Sequence, residues 1–398
     1  MAKKTRKPLS RDVVVVGASA GGVQVLQELM RGLPADFPGS VFVVVHVSPT
    51  SPGILPSILD RAGPLIAKQA RDGERIRPRH VYVAPPDHHL ILKRDRICVT
   101  RGGPKENGFR PAVNPLFRTA ARSFGSRVVG VILTGGLDDG TLGMAHVKEH
   151  GGIAIAQDPA EAIFPSMPHS VIRNVEVDYV LPVADMPEVL TRLATEPMPE
   201  GALAMANPND GLPDVAETGK AMLLAGTQPG PPTNIICPQC GGSLWELEDR
   251  KITRYECHVG HSYTAETLLE DKNGELEGAL WGALRALEEG AELRRRMAER
   301  LQNAPTGLED IRGRYQREAD EAEARAAVLR QLLGNGQSAT RLAKQTTAEG
   351  TAKSVRNQSI GKKGRGEQPG GGGRAKANGR TAQTRNPRRA GKGSDGVS

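Results

Sequence analysis

Residues 13–22, VVVVGASAGG, run four valines into a turn of small residues: Gly17, Ala18, Ser19, Ala20, Gly21 and Gly22. β-Branched residues without polar alternation suit a strand buried on both faces of a parallel sheet. VFVVV (41–45) and VVGVIL (128–133) have the same texture. Between the first two, Val25 or Leu26, Leu29 and Leu33 recur at helical spacing up to Pro34, so this part reads strand, helix, strand. The expected fold class is α/β, a doubly wound, mainly parallel sheet over residues 11–195. HVYVAPPDHHLILKRDRICVT (80–100) has short β-rich pieces around a Pro-Pro turn and predicts a small antiparallel excursion, with Cys98 as a small buried hydrophobe.

A strand, glycine turn and helix serves two chemistries. Dinucleotide binding wants G-x-G-x-x-G, but Ser19 stands where the second glycine should be, and Asp36 sits in a turn instead of ending the second strand. GASAG instead satisfies G-x-S-x-G, the pattern that lifts a serine hydroxyl out of a strand-to-helix turn, although Ser19 as a simple helix cap fits the same letters. Other strand ends decide between them. His46 follows the second strand, and TGGLDDG (134–140) follows the strand VVGVIL, so a serine, a histidine and the aspartates Asp138 and Asp139 meet at one sheet edge. Serine needs an imidazole to take its proton, the imidazole needs a carboxylate to orient it, and backbone N–H groups of the turns suit an oxyanion. The order Ser, His, Asp differs from that of the α/β-hydrolases, so another hydrolase fold is expected.

VVVVGASAGG, VVVHVSP, RDGERIRPRHVYVAPPDHHLIL, RPAVNPLFRTAA, GVILTGGLDDGTLGM and AQDPAEAIFPSMPHSVI together resemble, in order and spacing, the catalytic domain of the chemotaxis receptor methylesterase family (CheB). The resemblance covers about residues 11–195. It implies Ser19 as nucleophile, His46 as general base and Asp139, the aspartate directly before Gly140, as the orienting carboxylate. It also implies oxyanion support from the backbone at Ala20 and Gly136. The chain departs from the family pattern at Ala20 (commonly Thr), at Gly136-Leu137 (Met-Gly), at Val47-Ser48 (Met-Pro) and at Asn114 (Asp). About ten residues precede the first strand, so the resemblance is to a stand-alone form without the phosphorylatable receiver domain of the better-known members. The implied reaction is hydrolysis of glutamyl methyl esters to glutamate and methanol, with glutamine deamidation as a second reaction and no cofactor for catalysis. The implied partner is a methyl-accepting chemotaxis receptor or a related methylated signalling protein.

Past this domain, residues 196–233 are rich in proline and glycine and read as a linker. Cys237-x2-Cys240, sixteen residues, then Cys257-x3-His261 is the spacing of a structural zinc site, so 234–264 reads as a small zinc ribbon with Trp245 and Tyr255 as its packing. His258 is the rival fourth ligand, but it directly follows Cys257 and is badly placed to close the same tetrahedron. Residues 265–334 read as a helical hairpin in which Leu276, Leu280, Ala283, Leu284 and Leu287 mark an apolar face, a surface for a helical partner or a homodimer.

From Gln337 onward there are fourteen Lys or Arg, three acids and no aromatic residue. That surplus exceeds the net +8 of all 398 residues, so the basic character belongs to this tail, 335–398, which reads as disordered. Without aromatics for stacking, nucleic acid is set aside as a partner. No run approaches the ~20 apolar residues of a membrane span, and clustered cysteines suit a reducing compartment, so the chain is placed in the cytoplasm. A non-catalytic signalling scaffold with a degenerate esterase domain is the competing reading, and a dinucleotide-dependent oxidoreductase the third.

Overall fold

A computed structural model describes residues 9–94, 96–198, 230–249, 252–302 and 308–360, with side chains to Gly334 except that of Arg101. The chain divides into two compact units, residues 1–289 and 290–398.

The first unit opens with β1 (Val13–Ala18), α1 (Gly22–Gly32), β2 (Ser40–Val45), α2 (Leu55–Ala62), β3 (Ile66–Gln69) and β4 (His80–Val83). A hairpin of β5 (His88–Lys93) and β6 (Arg96–Arg101) leads to α3 (Val113–Phe124), β7 (Val128–Ile132), α4 (Thr141–Glu149), β8 (Ile153–Gln157), α5 (Ser166–Asn174), β9 (Tyr179–Leu181) and α6 (Met186–Thr195). Seven strands make one sheet in the order β3-β4-β2-β1-β7-β8-β9. Every pairing in it is parallel. HVYV, expected to start the antiparallel excursion, is instead β4 of this sheet, and only the β5–β6 hairpin is antiparallel. Cys98 in that hairpin is half-buried.

Both faces of the sheet are covered, which is why β1 is a continuous valine run. Val14, Val16 and Ala18 join one core with Leu26 and Leu29 of α1, Leu59 of α2 and Leu190 of α6. Val13 and Val15 join the other with Leu116 and Phe117 of α3, Met144 of α4 and Leu90 of β5. At ~25 cal/mol per Å² of apolar surface buried, these two layers dominate the stability of the domain. The strand order grows outward in opposite directions from β1 and β7, so the crevice beyond their carboxyl ends is the topological switch point where such sheets bind ligands.

A second sheet in the same unit runs β10 (Pro232–Ile236), β11 (Ser243–Asp249), β12 (Ile252–Cys257) and β13 (Ser262–Thr264), each antiparallel to the next. Its small core is Cys237, Leu244, Cys257, Tyr263 and Leu268, with Tyr255 packed against it. Trp245 is not in that core, because Leu244 takes the inward face of β11 and the next residue points away.

Helix α7 (Ala265–Arg300) begins directly after β13, and α8 spans Glu309–Ile360. The apolar face expected on α7 is only partly covered: Leu284 is buried, whereas Leu276 and Ala283 are exposed. In the second unit Ala291, Ala298, Ala319, Ala322 and Ala326 are buried, and Arg294 pairs with Glu318 and Arg295 with Glu323. Helix α8 continues beyond 334, where the sequence suggested that order ends; residues 361–398 of the basic tail, and 199–229 of the expected linker, lie outside the described residues. Among the described residues, no helix is long and apolar enough to cross a membrane.

Candidate active site

Ser19 stands one residue past β1, in the turn that leads to α1. Its N–H donates to Thr134 O at 3.0 Å and its carbonyl accepts from Gly22 N–H at 3.0 Å, so the turn is tied to the loop after β7 and to its own helix. Gly21 caps α1 at φ 76°, a left-handed conformation that glycine adopts without steric cost. On the β7 side, Gly135 lets the two loops close. A Cβ there would lie 2.0 Å from Met167 Sδ and 2.8 Å from the Ser19 Cβ.

His46 follows β2, and its N–H donates to Ala18 O at 3.3 Å. Its Nδ1 lies 3.1 Å from Ser19 Oγ, and its Nε2 lies 2.7 Å from Asp139 Oδ2. The two ring nitrogens therefore exchange the roles they have in the chymotrypsin arrangement, where Nε2 faces the serine. The imidazole, 4 % exposed, is stacked on Phe109 with ring centroids 3.7 Å apart and planes within 2°.

Asp139 is fully held by donors. Oδ2 accepts from His46 and from Val113 N–H at 2.7 Å. Oδ1 accepts from Asn107 Nδ2 at 3.0 Å, Gly140 N–H at 3.0 Å and Asn114 N–H at 3.3 Å. Burial pushes this carboxyl up, but the bonds from His46, Val113 and Asn107 outweigh it and hold it below the ordinary carboxylate range. Asp138, the rival in the sequence, points elsewhere. Its Oδ1 accepts from the Thr264 hydroxyl at 2.9 Å, and burial, with Glu266 and Asp139 adding negative charge nearby, pushes it up to about 7. The adjacent aspartates thus have opposite electrostatic character.

Ala20 is exposed beside Ser19, and its carbonyl accepts from the Thr134 hydroxyl at 3.1 Å. Gly136 borders open space, and Leu137 after it sits at φ 62°, a strained position for a branched side chain. Asn114 Oδ1 accepts from Gly140 N–H at 3.1 Å and Gly143 N–H at 2.7 Å, which buttresses the turn that carries Asp139. Asn107 and Phe109 escaped the sequence reading, and Thr134 and Gly135 entered it only within TGGLDDG, with no role of their own. They act through contacts between loops far apart in the chain, and no local pattern marks them.

At the second sheet, donor atoms of Cys237, Cys240, Cys257 and His261 all lie within 4.8 Å of one another. Cys237 Sγ and Cys257 Sγ are 3.6 and 3.4 Å from His261 Nδ1, and Cys240 Sγ is 3.6 Å from Cys257 Sγ. His258 is outside the cluster, against Gly242.

The family model described as CheB methylesterase matches residues 14–190. A Leptospira interrogans protein, provisionally named protein-glutamate methylesterase/protein-glutamine glutaminase, is 36% identical over 185 residues, which cover 46% of this chain and 96% of that one. A Thermotoga maritima protein named protein-glutamate methylesterase/protein-glutamine glutaminase is 40% identical over 192 residues, 48% of this chain and 56% of its own length, so the match spans about half of that longer relative. The crystal structure of the Thermotoga maritima CheB methylesterase catalytic domain is 39% identical, covers 46% of this chain and 98% of that one, and superposes with a TM-score of 0.44. On the family model and the Leptospira interrogans relative, the chain belongs to the CheB methylesterase family.

Proposed function

We propose that this chain is a serine hydrolase that removes methyl groups from glutamyl methyl esters of a methylated chemotaxis receptor or a related signalling protein in the cytoplasm. The observation that carries the reading is the hydrogen-bonded row Ser19 Oγ, His46 Nδ1, His46 Nε2, Asp139 Oδ2 at the carboxyl edge of the parallel sheet. His46 takes the Ser19 proton as Oγ attacks the ester carbonyl, and Asp139 stabilises the imidazolium that forms. The N–H groups of Ala20 and Gly136 are the donors we assign to the carbonyl oxygen as it becomes an oxyanion, each donor of this kind lowering a barrier by about 3 kcal/mol. The tetrahedral species collapses as His46 returns the proton to the methoxy oxygen, and methanol leaves. Water, deprotonated by His46, then attacks the acyl-Ser19 ester, and His46 returns that proton to Ser19 Oγ as glutamate leaves. A glutamine side chain would follow the same route with ammonia leaving, in keeping with the second activity in the relatives' names. Both steps use the chain's own residues, without a cofactor.

The cysteine cluster fits a structural zinc. A tetrahedral ion with Zn–S bonds of ~2.3 Å sets its ligands about 3.5–3.8 Å apart, close to the 3.4–3.6 Å of Cys237–His261, Cys257–His261 and Cys240–Cys257, with every donor atom within 4.8 Å of the others. Cys237, Cys240, Cys257 and His261 would fill all four positions, so the ion would stabilise a sheet whose apolar core is only a few residues. We read residues 232–264 as a zinc ribbon and α7 with α8 as a helical hairpin available to a helical partner or a second copy.

The test is methanol release from methyl-esterified receptors in membranes, comparing the wild-type chain with Ser19→Ala. Release that vanishes in the variant supports the reading. Equal release from both refutes Ser19 as nucleophile.

A further inference from the structure

The loop 105–109 touches the triad twice and is held from two other sides. Phe109 stacks on His46, and Asn107 donates to Asp139. Glu106 forms a bidentate pair with the buried Arg118 of α3, at 3.1 Å for each bond. The fourth contact comes from the second sheet, more than 150 residues away in sequence. Asn107 N–H donates to Ser262 O at 2.7 Å, and Ser262 N–H donates to Lys105 O at 3.3 Å.

The Asn107 side chain is 3 % exposed and bridges the two sheets. Its oxygen accepts from Thr264 N–H at 3.2 Å and from the Thr267 hydroxyl at 3.4 Å. With its oxygen facing those donors, its NH2 end must face the Asp139 carboxylate, an acceptor. Thr264 is held in turn by a reciprocal cap at the start of α7: its N–H donates to Thr267 Oγ1 at 3.0 Å, and Thr267 N–H donates back to Thr264 Oγ1 at 3.2 Å. The Thr264 hydroxyl donates to Asp138 Oδ1. The start of α7 therefore grips both the residue before Asp139 and the amide bound to it.

We propose that Asn107 is a positioning residue for the Asp139 carboxylate and that the turn from β13 into α7, through Ser262, Thr264 and Thr267, holds Asn107, making the cysteine-bearing sheet a working part of the hydrolase. The proposal rests on Ser19, His46 and Asp139 acting as the triad. Asn107 is the side-chain donor on Oδ1, whose other partners are backbone N–H groups. Without it the carboxylate is less fixed in direction and loses one of the bonds that keep it ionised, so the site loses its orienting charge at a higher pH than in the wild type.

The test uses the full-length chain and the rate of Ser19 labelling by a fluorophosphonate probe as a function of pH, with Ser19→Ala as the blank. Asn107 sits at φ 52°, so Asn107→Gly removes the side chain without backbone strain and Asn107→Asp keeps its shape while replacing the donor by an acid. Both should slow labelling about tenfold, the loss expected for one hydrogen bond to a charged group, and Asn107→Gly should move the acid limb upward by about half a pH unit. Thr264→Val keeps the N–H on Asn107 Oδ1 but removes the hydroxyl that caps the turn aiming it, and should cost about threefold alone and less in the Asn107→Gly background, because the turn reaches Asp139 through Asn107. Thermal melts identify any variant that has unfolded, and Asn107→Asp then stands in for Asn107→Gly. Wild-type rates with an unchanged pH profile in folded Asn107 variants overturn the positioning role. Full additivity with Thr264→Val overturns the link to the second sheet. Equal labelling of Ser19→Ala and wild type would instead mean that the triad reading itself has failed.

Discussion

Replacing Asp138 by asparagine should change the pH dependence of stability while leaving the hydrolase working. The folded state holds this carboxyl 7 % exposed, with a pKa of about 7, against 3.8 for an ordinary aspartate. Between those values the unfolded chain has released the proton and the folded chain has kept it. The folded state binds more protons, so stability falls as pH rises from about 4 to about 7 and is flat above. The rise from 3.8 to about 7 corresponds to about 4 kcal/mol in all, of which roughly 2–3 kcal/mol falls between pH 5 and pH 8. The amide oxygen introduced by Asp138→Asn would still accept the Thr264 hydroxyl, but an amide cannot ionise, so the substitution removes this term. Urea unfolding followed by far-ultraviolet circular dichroism, at pH 5 and pH 8, measures it. The variant should gain on the wild type by roughly 2–3 kcal/mol at pH 8 relative to pH 5. An equal stability difference at both pH values would refute the assignment of a neutral, buried Asp138.

Asp139→Asn leaves the shape of the site but removes the charge that stabilises the His46 imidazolium, so kcat for ester hydrolysis should fall by about 10³–10⁴-fold, against a few-fold for Asp138→Asn. The reverse ranking would move the orienting carboxylate to Asp138. Gly135→Ala places a methyl 2.0 Å from Met167 Sδ and 2.8 Å from the Ser19 Cβ, which should destabilise by about 1–3 kcal/mol in thermal melts and abolish Ser19 labelling. Chelation of the metal-loaded chain should release zinc, measurable by a colorimetric indicator, and lower the melting temperature reported by tryptophan emission; a Cys240→Ser chain should copurify with little zinc. Metal-free protein that melts like the wild type would refute a structural ion at these residues.

Much of the fold was legible because its signals are local. Unbroken β-branched runs occur where both faces of a strand are buried, and all three of the runs quoted above are central strands of the parallel sheet. His80–Val83 was harder to place. A four-residue β-rich piece pairs equally well in either sense, and its parallel partners Val41–Val43 lie forty residues away. The apolar spacing on α7 marked a face without saying what covers it, since a helical period states only which residues share a side: Leu284 is buried there and Leu276 is exposed.

By itself the sequence determined the strand that leads to Ser19, the placing of His46 and of an aspartate pair at other strand ends, and the spacing of three cysteines and a histidine, because each is a pattern within a few residues of chain. Tertiary structure alone decided between the aspartates. Their side chains leave the backbone in different directions, Asp139 toward His46 and Asp138 toward Thr264, and burial beside opposite partners then drives their ionisation apart. It also decided that Asn107 links the triad to the second sheet, since a hydrogen bond across 157 residues depends on the docking of one sheet against the other and leaves no trace in local composition.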